Sequence, residues 1–125
     1  MRAMRLMFFA VFLATAACSD QAPVSGPGTM TVTLVGPNGA EGAALVSLLG
    51  DGVGEIAGLG NTEAYAETNV DGTRLVLINQ LGGDLAFQVA VTDTTDLPAW
   101  VVSQVAGPDD GLRADVRAYT LAYSR

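Results

Sequence analysis

Apolar and polar residues alternate strictly in two stretches of the chain. In 29–35, Met30, Val32 and Leu34 fall on one face and Thr29, Thr31 and Thr33 on the other. In 84–92, Leu85, Phe87, Val89 and Val91 oppose Ala86, Gln88, Ala90 and Thr92. A period of two marks a strand with one face in a core and one in water, as in antiparallel sheets. Apolar, β-branched runs predict further strands over 43–49, 53–58, 62–68, 73–79, 100–106 and 114–123. Leu75-Val76-Leu77-Ile78 is apolar on both faces, which predicts a central strand. In the last run Val116, then Tyr119, Leu121 and Tyr123, look inward. That needs a phase slip and predicts a bulge near Ala118. Pro37-Asn38-Gly39, Asp51-Gly52, Asp71-Gly72 and Gly82-Gly83 supply the backbone angles that hairpins need. No window keeps a capped helical stripe. The pattern predicts an all-β domain over 29–125, an antiparallel β-sandwich of jelly-roll or immunoglobulin-like type with about seven to nine short strands.

The first 18 residues follow a different rule. Arg2 and Arg5 precede a run from Leu6 to Ala17 that is apolar except for Thr15. It falls short of the roughly 20 apolar residues a membrane-crossing helix needs and fits the h-region of an export signal. Ala16 and Ala17 lead directly into Cys18, the one cysteine of the chain. A lone Cys in an exported protein forms no internal disulfide. This junction resembles the lipobox of bacterial lipoproteins, with Thr15 where Leu is commonest. The resemblance implies cleavage after residue 17, acylation of Cys18 and anchoring in a membrane. Ser19 after the Cys implies the outer membrane. Residues 18–28 then read as a lipidated Cys and a polar tether carrying Pro23 and Pro27.

Thr73 to Tyr123 resembles the C-terminal half of cohesin-like and related carbohydrate-binding β-sandwiches. The likeness lies in TRLVLIN, a Gly-containing turn, LAFQVAV, VVSQVAG, the acidic loop PDDG and a last strand. It implies a nine-strand, jelly-roll-like sandwich in extracellular binding or assembly proteins.

Charge and composition narrow the chemistry. The chain has 125 residues, 6 Lys+Arg, 13 Asp+Glu and no His. Without His there is no Ser-His-Asp triad, no Cys-His pair and no His-ligated metal. Loss of residues 1–17 removes Arg2 and Arg5 and leaves four Arg against 13 acids, a net charge of −9. Such a chain is repelled by nucleic acid and by anionic lipid, so the lipid on Cys18 would be its tie to the membrane. Asp93, Asp96, Asp109 and Asp110, with Asp115 nearby, are the candidates for calcium, which takes six to eight oxygens. Asp also favours turns through its own hydrogen bonds. Glu63 and Glu67 share one strand face at about 13 Å. Glycosidase carboxylates sit about 5 to 9.5 Å apart. Tyr65 lies between the two, and with Trp100 it is the aromatic candidate for ligand binding. A lone Trp in a small sandwich more often packs in the core.

The sequence therefore predicts a cell-envelope lipoprotein without cofactor, carrying a non-catalytic binding or structural module for a protein or glycan. The alternative is a carbohydrate-active or calcium-dependent enzyme or subunit.

Overall fold

The computed structural model describes residues 26–125. The expected signal peptide (1–17), Cys18 and tether residues 19–25 lie outside them. Eight strands follow in order: β1 (Gly28–Val35), β2 (Glu41–Leu49), β3 (Val53–Gly58), β4 (Glu63–Asn69), β5 (Gly72–Gly83), β6 (Ala86–Val91), β7 (Trp100–Ala106) and β8 (Thr120–Ser124). They build two antiparallel four-stranded sheets, ordered β3-β6-β1-β8 and β4-β5-β2-β7. The architecture is a β-sandwich, as the alternation predicts.

The inward rows are the expected ones. Met30, Val32 and Leu34 of β1 meet Leu85, Phe87, Val89 and Val91 from in and beside β6. Ala44, Val46 and Leu48 of β2, Leu75 and Leu77 of β5, and Val102 and Val105 of β7 close the core from the other sheet. Among the described residues these side chains form one hydrophobic cluster, and no buried side-chain polar atom lacks a partner.

Among the described strands only β4 and β5 form a hairpin within one sheet; each other consecutive pair crosses between sheets. The turns at 36–40, 50–52 and 84–85 are therefore arches over the sandwich ends, not the expected hairpins. Within the hairpin, Asn69 pairs with Gly72, so Val70 and Asp71 form the two-residue loop. The Asn69 side chain accepts from the Asp71 amide at 2.9 Å, and Gly72 takes the positive φ of 144°. The pairings β2·β5, β5·β4 and β3·β6 are those of strands B, E, D and C, F of an immunoglobulin sandwich. The end strands differ, since β1 stands beside β6 and β7 beside β2.

Three local expectations are corrected. The run 114–123 is not one strand: β8 starts at Thr120, and Tyr119 closes a turn onto Val116. The apparent phase slip marks that turn, not a bulge at Ala118. The tether ends earlier than residue 28. The Gly26 amide donates to Asp93 Oδ1 at 3.3 Å, and the Thr94 amide donates to Gly26 O at 2.9 Å. Finally, β5 is central, but its second face is open, with Val76 38% exposed.

Candidate functional site

The outer face of β4-β5-β2-β7 is built from residues that alternate with the core rows. The strand register lines them up across the sheet. One row runs Tyr65, Val76, Leu45, Gln104. The next runs Glu63, Ile78, Ala43, Ala106, and Leu112 bridges to Ala106 beyond the edge of β7. A third row, Glu67, Arg74, Ser47, Val101, is polar at three of its four positions. The first two rows make a contiguous apolar patch. Tyr65 is 58% and Leu112 69% exposed. A shallow depression of about 220 Å³ lies between Ala43, Leu45, Val76, Ala106 and Leu112.

A bulge shapes the β7 side. Val46 faces Val102 and Leu45 faces Gln104, so Ser103 is the extra residue. The bulge re-aims the strand so that Val102 and Val105 both stay buried while Gln104 borders the patch.

A buried polar network holds Leu112 on this face. Glu41, 2% exposed, sits where the β2–β5 register breaks between Glu41 and Ala43. Its Oε1 accepts from Tyr119 Oη at 2.6 Å, and its Oε2 accepts from Arg113 Nε at 3.1 Å. Asn38 Nδ2 donates to the same Tyr119 oxygen at 2.8 Å. The Arg113 amide also donates to Val105 O at 2.8 Å. Residue 113 is thus pinned by backbone and side chain, and Leu112 beside it stays in place. Gly36 is required here, because a Cβ would meet the Tyr119 ring. Burial and then the Glu41 hydrogen bond raise the Tyr119 hydroxyl above its ordinary pKa. The Glu41 hydrogen bond is the main cause that raises Arg113.

Of the sequence candidates, Tyr65, Glu63 and Glu67 stand together and exposed on β4. Tyr65 Oη donates to Glu63 Oε2 at 2.9 Å, and that bond is the largest cause raising the phenol's pKa. Trp100 is not part of this group. It lies on β7, at the opposite edge of the sheet, and packs half-buried against the core. The two aromatics share no surface.

The acidic candidates are divided between the two ends of the sandwich. Asp93 and Asp96 follow β6, whose last residue pairs with the start of β1; Asp109 and Asp110 follow β7 at the other end. Asp93 Oδ1 accepts from the Thr95 hydroxyl at 2.7 Å, from the Thr95 amide at 2.9 Å and from Gly26. These bonds, with Thr95 foremost, lower its pKa. Asp109 Oδ1 accepts from the Gly111 amide at 3.2 Å, and Asp110 holds a left-handed φ of 66°. Asp115 makes a two-pronged pair with Arg117, which lowers the carboxyl. Among the described residues no three acidic side chains gather as a metal would need.

Sequence reading missed Leu45, Val76 and Leu112 as surface residues and Glu41 and Arg113 as partners. A signal for the first two was present. The run Leu75 to Ile78 is apolar on both faces, and so is Ala43 to Leu49 apart from Ser47. No family model, curated protein or solved structure matches this chain.

Proposed function

We propose that this is an exported lipoprotein, held at the outer membrane through acyl chains on Cys18, whose sandwich is a non-catalytic binding module for a protein or glycan of the cell envelope. The observation that carries the binding part is the open apolar face around Leu45, Val76 and Tyr65, with Leu112 fixed beside it. Core needs do not explain that face, since the core is closed by the opposite side of the same strands. The export part rests on residues 1–18. An enzyme reading draws no support from this geometry. Glu63 and Glu67 flank Tyr65 on one exposed strand, about 13 Å apart by strand rise, beyond carboxylate-pair catalysis.

The test has two steps. Mass spectrometry of the envelope-bound chain should find acylated Cys18 as its first residue, and Cys18→Ala should release the domain or stall processing. A mature chain that begins elsewhere with a free thiol overturns the anchor. The solubilised lipidated chain then serves as bait beside its Leu45→Thr/Val76→Thr variant. A protein or glycan held by the first and lost by the second supports the module; equal retention overturns it.

A further inference from the structure

The chemistry of the same face selects the kind of partner. Its centre is aliphatic, formed by Leu45, Val76, Ile78 and Leu112. Sugars are gripped by stacking on aromatic faces and by hydrogen bonds to hydroxyls. Tyr65 is the one aromatic residue in these rows, and its hydroxyl is tied to Glu63. An aliphatic centre instead matches the apolar core of a protein interface.

Charge narrows the choice further. Glu63 and Glu67 bracket Tyr65 on the exposed edge strand, and Arg74, opposite Glu67, is the cation in these rows. Of the other described arginines, Arg113 is bound to Glu41 and Arg117 to Asp115. Of the 13 acids of the chain, all but Asp20 lie among the described residues, 12 against four arginines. A second copy would bring two strongly negative bodies together, which opposes self-association. A partner with Lys or Arg around an aliphatic centre is complementary at both levels.

We propose that the outer face of β4-β5-β2-β7 docks a basic protein surface, aliphatic at its centre and rimmed by Lys or Arg, with Leu45 and Val76 as the apolar seat and Glu63 and Glu67 as the charged rim. The proposal rests on the binding-module reading and names its partner class.

The test uses the solubilised chain and a short Leu/Lys amphipathic helical peptide as probe. Its Leu/Glu counterpart and cellohexaose are the contrasting arms. In an NMR titration the Leu/Lys peptide should move the amides of Leu45, Val76 and Leu112, and leave Thr31 and Gln88 on the opposite sheet still. Leu45→Thr/Val76→Thr should weaken binding by about tenfold or more, the range in which truncating a central contact falls. Glu63→Gln/Glu67→Gln should weaken it by about two- to tenfold, as exposed charge pairs do, and flatten its salt dependence. Equal binding of the Leu/Glu peptide, shifts centred on Asp51, Asp93 and Asp96, or no effect of the face variants overturns the proposal. Cellohexaose shifting the same amides also overturns it, in favour of a glycan, as does dimer formation through this face. If the envelope bait discriminates its variants while these titrations fail, the partner class alone is wrong. If the bait variants behave alike, the binding-module reading has failed first.

Discussion

Replacing Tyr119 by Phe removes one oxygen and almost no volume. The ring stays against Gly36, and the apolar contacts of a residue 2% exposed are kept. What is lost is the donor at 2.6 Å from Glu41 Oε1. That oxygen belongs to a carboxylate 2% exposed, so water does not freely replace the donor. A hydrogen bond to a charged group contributes about 1.5 to 3 kcal/mol. Asn38 also loses its acceptor, but it is exposed and re-solvates at little cost. The expected loss is about 2 kcal/mol, or roughly 8 to 16 °C in midpoint for a domain of this size. Glu41→Ala should cost about 3 to 5 kcal/mol, since it removes one partner of a buried pair. Its value should lie at the lower end because Arg113 keeps 30% of its side chain in water. The double variant should cost less than the sum of the two, with a coupling of about 0.5 to 3 kcal/mol. Urea melts of the solubilised chain, read by tryptophan fluorescence and far-UV circular dichroism, give all three values. Additive losses, or a Tyr119→Phe cost below about 0.5 kcal/mol, would show that the network is not closed in solution. The placement of Leu112 would then lose its support.

Further outcomes follow from the same structure. Phe87 is fully buried on central strand β6, opposite Val32, so Phe87→Ala should cost about 3 to 5 kcal/mol. Gln88 points outward, opposite Thr31, and Gln88→Ala should stay within about 0.5 kcal/mol; equal losses in denaturant melts would refute the two-residue period. Thermal melts in EDTA and in millimolar calcium should agree within a few degrees, whereas a site filled at 100 times its Kd would add about 2.7 kcal/mol. At high pH the sign follows from Tyr119, whose folded pKa lies above its ordinary value of about 10. Its contribution is full below about pH 10 and is lost as pH rises through the folded value, so alkaline melts should steepen there and Tyr119→Phe should flatten them.

The alternation of apolar and polar residues determined strand faces by itself, because a two-residue period has one arrangement that hides Val32, Phe87 and Val89 together. It did not determine which sheet each strand enters. A Gly or Asn at a turn fixes local φ, and the same angles serve a hairpin at Asp71 or an arch at Gly39. Nor did it separate a central strand buried on both faces from one whose second face is open. Val76 read as part of a strand apolar on both faces; it is exposed, and Leu45 beside it is half-buried, because among the described residues no further layer covers that side of β5 and β2. Tyr65 was legible, since Ala64 and Ala66 alternate with it and leave it the outward position. The pairing of Glu41 with Arg113 and Tyr119 spans 72 and 78 residues and depends on a broken register, so no local pattern carries it. Local periodicity sets what each residue faces within its own strand. Contact between distant segments sets what lies on the other side, and that part of this protein only the tertiary structure decided.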